Sequence, residues 1–135
     1  MDDGGNVTRT YEIYDPDKKT WTCPWDKDKK KHLRHSRSGH TATLLRDGKV
    51  LLVSGYTGEI YNPKTDSWTF TRDTLWYPRQ AHTATLLPNG DNYEVIVAGG
   101  GANICEKFEP PIGSASLNSG VDRSDYPEDG ESVSR

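Results

Sequence analysis

Alternating small polar and apolar residues near the middle of the chain predict the start of a unit of strands. Residues 40–45, His-Thr-Ala-Thr-Leu-Leu, alternate in this way, and the following Arg46-Asp47-Gly48 is a tight-turn signal. Residues 49–54 form a nearly continuous apolar run that ends at Gly55. Such a run is expected of a strand buried on both faces. The pattern therefore predicts two short strands joined by a tight turn.

Two further strands are predicted after this pair. Residues 59–61, Glu-Ile-Tyr, favour a strand, and Pro63 ends it because proline has no amide hydrogen for a sheet ladder. Residues 67–71 are rich in aromatic and β-branched types, which are common in strands. No stretch has a helical period with capping residues. The predicted fold class is all-β, built from four-stranded antiparallel sheets.

The unit is repeated along the chain. Residues 40–45 return unchanged at 82–87, a shift of 42 positions, and the same shift carries Arg37 onto Arg79. A sheet with apolar residues on both faces cannot bury both of them alone, so the copies are expected to stack on each other.

A second block recurs three times at a shift of 47 positions. It reads Glu-Ile-Tyr-Asp-Pro at 12–16, Glu-Ile-Tyr-Asn-Pro at 59–63 and Glu-Lys-Phe-Glu-Pro at 106–110. Trp21 maps onto Trp68 by the same shift. The two shifts differ by insertions that fall between predicted strands, as expected when one strand unit is copied.

Together these motifs resemble the kelch repeat, in the variant also found in galactose-oxidase-like propellers. The resemblance covers about residues 10–110 and implies four-stranded blades of a β-propeller. The residues at structural repeat positions are His40, His82, Gly55, Gly99, Gly100, Tyr14, Tyr61, Trp21 and Trp68.

The predicted organisation is an incomplete propeller. Residues 1–9 are expected to be a flexible start and 111–135 a disordered acidic tail. Between them we expect a half blade, a full blade and a three-strand blade, at residues 10–23, 37–71 and 79–110. Propellers close with roughly four to eight blades. The chain is therefore expected to be a fragment of a larger propeller, with neighbouring blades supplied in cis, or else to self-associate.

Charge and cysteine content narrow the function classes. Lys and Arg number 17 against 20 Asp and Glu, a net charge of −3, which disfavours nucleic acid as a partner. No apolar run approaches the roughly 20 residues of a membrane span. Cys23 and Cys105 are too far apart in sequence to suggest a paired zinc motif. The compartment stays open: cytoplasmic if Met1 is the true start, extracellular if the chain is truncated.

The resemblance implies a protein-interaction surface on the long connections between strands, since kelch proteins commonly bind partners there. Arg and aromatic side chains are the usual anchors of interfaces. The candidate binding residues are Arg34, Arg37, Tyr56, Trp76, Tyr77 and Arg79. For the two repeated arginines, a structural role at the entrance of the strand is the favoured alternative, because contact residues need not recur in every blade. For Trp76 and Tyr77, the alternative is that they cover the edge of the blade.

The basic cluster at 26–37 could bind phosphate or an acidic partner, but a solvated loop is favoured because interleaved base-stacking aromatic residues are missing.

A catalytic role is not expected. His40 and His82 could suggest metal ligands, but both occupy the repeat's own position and do not form a convergent set. We therefore predict no catalytic residues, no metal and no cofactor, and a non-catalytic protein-interaction module. The alternative is a fragment of a secreted galactose-oxidase-like copper radical oxidase or carbohydrate-acting enzyme, with its ligands in other blades.

Overall fold

Every regular element in the described part of the chain is a β-strand. The computed structural model describes residues 5–22, 32–71, 74–89, 91–109 and 116–118. The strands are β1 Ile13–Asp15, β2 Thr20–Thr22, β3 Thr41–Leu44, β4 Val50–Ser54, β5 Thr57–Asn62, β6 Ser67–Phe70, β7 His82–Asn89, β8 Asn92–Gly99, β9 Glu106–Glu109 and β10 Ser116–Asn118. These ranges contain no helix, so no helix within them could span a membrane. The predicted all-β class is confirmed.

The strands form three antiparallel sheets in which chain order equals spatial order. We call β1–β2 the N-terminal hairpin, β3–β4–β5–β6 the central sheet and β7–β8–β9–β10 the C-terminal sheet. Each strand pairs with its neighbour in sequence, which requires only short connections. The apolar alternation and turn signals in the sequence therefore correspond to a simple meander in each four-stranded sheet.

The main core lies between the central and C-terminal sheets. Strand β4 is buried on both faces, as its apolar run predicts, because Leu51 and Val53 join one cluster while Leu52 joins another. The first cluster brings together residues of both sheets: Leu45, Leu51, Val53, Ile60, Leu75, Val95, Val97 and Phe108. The expectation that neighbouring copies bury each other's apolar faces is met here.

Backbone hydrogen bonds also join the two sheets. The amide of Gly55 donates to the carbonyl of Arg79 at 2.7 Å, and the amide of Arg79 donates back to Gly55 at 3.0 Å. The amide of Ala81 donates to the carbonyl of Gly39 at 2.9 Å. The turn between β4 and β5 is thereby tied to the entrance of the C-terminal sheet.

The C-terminal sheet has one strand more than the sequence predicts. Strand β10 pairs antiparallel with β9, with Leu117 opposite Phe108 in the register. Strand β10 adds to the three strands expected at residues 79–110, and residues 116–118 lie inside the stretch 111–135. The pairing supplies hydrogen-bond partners to a β9 edge that would otherwise be open. The rest of that stretch, and residues 1–4 of the expected flexible start, lie outside the described residues.

Candidate protein-interaction surface

A buried ion pair lies beneath the loop that leads into the C-terminal sheet. Arg79 is fully buried, and its Nε and Nη2 atoms donate to Oε2 of Glu106 at 3.0 and 2.9 Å. Its Nη1 donates to the carbonyl of Gly99 at 2.8 Å, and its Nη2 also donates to the carbonyl of Ile104. The guanidinium is therefore paired and hydrogen-bonded, as a buried charge requires.

The central sheet contains the same arrangement. Arg37 donates from Nε and Nη2 to Oε1 of Glu59 at 3.0 and 2.7 Å, and both side chains are buried. Its Nη1 donates to the carbonyls of Ser54 and Thr57 at 3.1 and 3.0 Å. The two pairs occupy equivalent repeat positions, since a shift of 42 relates the arginines and a shift of 47 relates the glutamates.

Each buried glutamate also holds the loop that precedes its sheet. Glu59 accepts hydrogen bonds from the amides of Arg34 and His35 at 2.7 and 3.1 Å. Glu106 accepts one from the amide of Trp76 at 2.6 Å. Arg34 and Trp76 are equivalent positions, 42 residues apart. The loops are thus fixed through their backbone, whatever side chain they carry.

The same loops make a second set of equivalent backbone bonds. The amide of Leu33 donates to the carbonyl of Arg9 at 3.0 Å, and the amide of Leu75 donates to the carbonyl of Tyr56 at 2.8 Å. The second bond places Tyr56 next to the loop that carries Trp76. Part of the predicted surface is therefore brought together at one edge of the sheets.

The structure divides the six candidate binding residues into two groups. Arg37 and Arg79 are buried and bonded within the chain, which supports the structural alternative given for them. This corrects their inclusion among accessible contact residues.

The other four residues remain candidates for binding. Tyr56 is 55% exposed and Tyr77 is 38% exposed. Arg34 is exposed, with Nε donating to the Trp68 carbonyl at 3.4 Å, and Trp76 is half-buried.

The two repeated histidines differ in environment. His82 is buried and its Nε2 lies 2.8 Å from Oγ1 of Thr41 on the adjacent sheet, whereas His40 is exposed. Burial, together with the positive charges of Arg79 and His40, lowers the pKa of His82. This difference in burial comes from the neighbouring strands. Strand β3 lies beside β7, which begins at His82. No described strand lies in the equivalent place beside β3, which follows His40. His82 therefore lies at the contact between the central and C-terminal sheets.

Metal-ligand clusters were also sought. Within the described ranges, no group of three or more His, Cys, Asp or Glu side chains is placed to hold an ion. Cys105 is an exposed free thiol, and Cys23 lies outside the described residues.

Gly100 shows why the apolar run of β8 ends in glycine. Its φ is +74°, a conformation that side chains disfavour. A Cβ atom added there would lie 2.6 Å from the carbonyl oxygen of Gln80 and 2.8 Å from Cβ of His82. The backbone can therefore approach the loop entering β7 only because this position has no side chain. Gly55 and Gly99 also have positive φ, at +61° and +75°.

An aromatic cluster on the outer face of the central sheet was not anticipated. Tyr11 packs on Tyr61 and Trp68, with ring centroids 5.6 and 5.4 Å away. Both tyrosine hydroxyls donate to Oδ1 of Asp66 at 2.9 Å. Burial, and then the hydrogen bond and negative charge of Asp66, raises the pKa of Tyr61 to about 12 and moves that of Tyr11 in the same direction. The cluster fixes the N-terminal segment on the central sheet.

The glutamate partners of the arginines were also missed by the sequence interpretation. The available signal was a glutamate recurring at the start of the Glu-x-aromatic-x-Pro block, within a predicted strand. A charged residue repeated inside a strand indicates a buried partner, because an unpaired buried charge is costly.

Comparison with known proteins found no match: no protein-family model and no curated protein matches the chain. The architecture itself is compatible with part of a β-propeller, since its four-stranded antiparallel sheets pack face to face in chain order.

Proposed function

We propose that this chain is part of a kelch-type β-propeller and that the loops at one edge of its sheets bind a protein. The kelch assignment is supported by the agreement between the repeated motifs and their contacts. The arginine of the Arg-x-x-His segment and the glutamate of the Glu-x-aromatic-x-Pro block form equivalent buried ion pairs in the two four-stranded sheets, and the apolar run of each sheet ends at a glycine with positive φ.

One observation carries the binding proposal: equivalent loops share their backbone attachments but carry different side chains. At the position bonded to the buried glutamate, one loop has Arg34 and the other has Trp76. At the next position, one has His35 and the other Tyr77. A scaffold that holds a loop through amides leaves the side chains available for recognition.

The chemistry of these side chains suits a protein partner. Tyrosine and tryptophan supply large contact areas with few rotatable bonds, and arginine adds a forked set of donors. Because the loops are already fixed by bonds to Glu59 and Glu106, little backbone entropy would be lost when a partner binds. The opposite edge carries tight polar turns, such as the one containing Asp47 and Gly48, and offers fewer aromatic anchors.

The proposal is tested with a double variant, Tyr56→Ser with Tyr77→Ser. Both side chains are exposed, so their removal leaves the backbone bonds and buried pairs intact. Proteins captured from the source organism by the unmodified chain are identified by crosslinking and mass spectrometry, and their affinities are measured by calorimetry. We expect the double variant to lose affinity at least about tenfold.

The matched control is Leu44→Ser, which removes an exposed apolar side chain near the tight-turn edge. Near-ultraviolet circular dichroism verifies that all variants keep the native packing. Affinity that is unchanged in the double variant, or that depends on Leu44 instead, would contradict the proposal.

A further inference from the structure

The first residue of β7 is a buried histidine that bonds to the neighbouring sheet. Nε2 of His82 lies 2.8 Å from Oγ1 of Thr41 on β3, so this side chain of the C-terminal sheet contacts the central sheet directly. The other ring nitrogen, Nδ1, is buried and has no hydrogen-bond partner among the described residues. The side chain is only 6% exposed, which leaves solvent little access to that nitrogen. The ring is therefore held through one nitrogen alone.

This geometry suits a neutral imidazole and not a charged one. A neutral ring has one N–H and one acceptor nitrogen, and the hydroxyl of Thr41 can donate to Nε2 or accept from it. In a protonated ring both nitrogens carry a hydrogen, whichever tautomer was present before. The hydrogen on Nδ1 would then belong to a buried charged group without an acceptor. Protonation of His82 is therefore costly while the two sheets are in contact.

The charges around the ring act in the same direction. Burial, followed by the positive charges of Arg79 on the same segment and His40 on the segment before β3, lowers the pKa of His82. The carboxylate of Glu106 on β9 is bonded to the Arg79 guanidinium. On β8, the register partner of the histidine is the uncharged Gly99. None of these groups offers the ring a negative partner.

The residue directly before this histidine has a strained backbone. Ala81 has a φ of +53°, in the left-handed region that residues with a Cβ atom disfavour. Its repeat equivalent, 42 positions earlier, is Gly39, with a φ of +58°. The C-terminal sheet thus has alanine where the central sheet has glycine in the same conformation. Such strain persists only where the surrounding contacts hold the backbone in place.

Hydrogen bonds on two sides hold this strained stretch, residues 80–82, which we call the entry segment. The amide of Ala81 donates to the carbonyl of Gly39 at 2.9 Å, and the amide of Gln80 donates to the carbonyl of Gly100 at 3.3 Å. The bond of the histidine ring to β3 adds a side-chain contact. Of these bonding groups, the imidazole is the one that titrates near neutral pH.

We propose that the entry segment is an acid-sensitive contact between the central and C-terminal sheets, held closed by neutral His82. When the ring takes up a proton from solvent, the segment moves away from β3. Nδ1 then reaches water, and the backbone of Ala81 leaves its strained conformation. The opening is local, because the main core and the reciprocal backbone bonds between Gly55 and Arg79 do not involve the histidine. The inference depends neither on the kelch assignment nor on the loop surface, so each can fail without the others.

The sign of the linkage gives the pH range. Since the open form binds the proton more tightly, the contact is complete above about pH 6.5 and weakens as the pH falls below that value. Amide hydrogen exchange of the full chain, followed by NMR and corrected for the intrinsic rate at each pH, measures this for single residues. Between about pH 7.5 and about pH 5, we expect the protection of the Ala81 amide to fall at least about threefold. The Gly55 amide, which bonds to Arg79, should stay protected.

The deciding variant is His82→Gln, which stays neutral and carries an amide group that can bond to Thr41. We expect the protection of its Ala81 amide to be the same at both pH values. His40→Gln is the matched control, since it removes the exposed histidine at the equivalent repeat position. The fall in protection should remain in this control.

A further variant, Ala81→Gly, separates the strain from the charge. Glycine adopts a positive φ without penalty, so the protection of the amide at this position should rise at both pH values. The ratio between the two values should stay as it is in the unmodified chain, because His82 is still present. A fall in protection on this substitution would contradict the role of strain.

Four results would overturn the proposal. Protection of the Ala81 amide that is the same at both pH values in the unmodified chain would show that opening is not linked to protonation. A fall that persists in His82→Gln, or that disappears in His40→Gln, would assign the response to another group. An equal fall at the Gly55 amide would show general unfolding in acid. Finally, the ring signals of His82 in the unmodified chain need no substitution, and a titration midpoint at or above about pH 6.5 would contradict the proposal.

Discussion

The N-terminal hairpin and the β5–β6 pair of the central sheet have the same local structure in different surroundings. Both turns begin with an acceptor side chain that bonds the amide two residues on, Asp15 in the hairpin and Asn62 in the central sheet. Both contain a residue with positive φ at equivalent positions, Lys19 at 54° and Asp66 at 48°. Yet the hairpin is exposed to solvent, whereas the central pair is packed on both sides.

The difference separates what a repeat encodes locally from what its neighbours provide. Turn chemistry and strand propensity within about fifteen residues are sufficient to define the hairpin's register. Burial of the tyrosine, the tryptophan and the glutamate requires the adjacent strands and the preceding loop. Equivalent substitutions in the two regions should therefore have unequal effects on stability.

The largest difference is expected at the glutamates. Glu59→Gln leaves the buried Arg37 guanidinium without a counter-ion, and should lower the free energy of unfolding by about 4 kcal/mol. Glu12→Gln should change it by less than about 0.5 kcal/mol, because the side chain is exposed. Urea unfolding followed by tryptophan fluorescence measures both. Equal losses in the two variants would mean that the hairpin glutamate is already paired.

A smaller difference is expected at the isoleucines. Ile60→Ala removes a side chain from the main core, and should lower the free energy of unfolding by about 3 kcal/mol. Ile13→Ala changes an exposed position and should cost less than about 1 kcal/mol. The same urea titrations apply, with the slope of the transition verifying that the extent of unfolding is unchanged. A large loss from Ile13→Ala would show that the hairpin packs on another surface.

The smallest difference is expected at the tyrosines. Tyr61→Phe removes the hydroxyl bonded to Asp66, and should lower the free energy of unfolding by about 1 kcal/mol near neutral pH. Tyr14→Phe should have almost no effect, because no described group bonds to its hydroxyl. Thermal unfolding by circular dichroism compares the two, and an equal change in melting temperature would contradict the expected dependence on Asp66.

The same tyrosine gives a dependence on alkaline pH. Burial, followed by the hydrogen bond and charge of Asp66, raises the pKa of Tyr61 from 10.0 to about 12, so folding favours the neutral phenol. The resulting stability is complete below pH 10 and is lost as the pH rises to about 12. Urea unfolding across this range should show a weaker pH dependence in Tyr61→Phe than in the unmodified chain. An identical pH dependence would contradict this assignment.

Much of the fold follows from the sequence because its signals are local. The apolar run before Gly55 predicts a strand buried on both faces, and the Asp47-Gly48 turn and Pro63 predict where strands end. Strand β10 was not predicted because residues 116–118 lie in a polar stretch and Ala115 stands where the repeat has tryptophan. That strand depends on pairing with β9, which is a tertiary contact that local propensity does not include.

The candidate site was only partly predictable. The repetition of Arg37 and Arg79 correctly indicated a structural role, but their partners Glu59 and Glu106 lie 22 and 27 residues further on and are chosen by the fold. The exposures of His40 and His82 differ because the strand that follows His82 has β3 of the preceding sheet beside it, whereas no described strand takes that place beside His40. A sequence pattern identifies equivalent positions, but their accessibility depends on the units beside them.

The positions of the Arg79 partners have a consequence for synthesis of the chain. The groups that accept hydrogen bonds from the Arg79 guanidinium are the carbonyls of Gly99 and Ile104 and the carboxylate of Glu106. They lie 20 to 27 residues downstream. A nascent polypeptide that has reached only the end of β8 still has a cation with no counter-ion. The C-terminal sheet is therefore expected to fold as one event after Glu106 has left the ribosomal tunnel, instead of growing strand by strand.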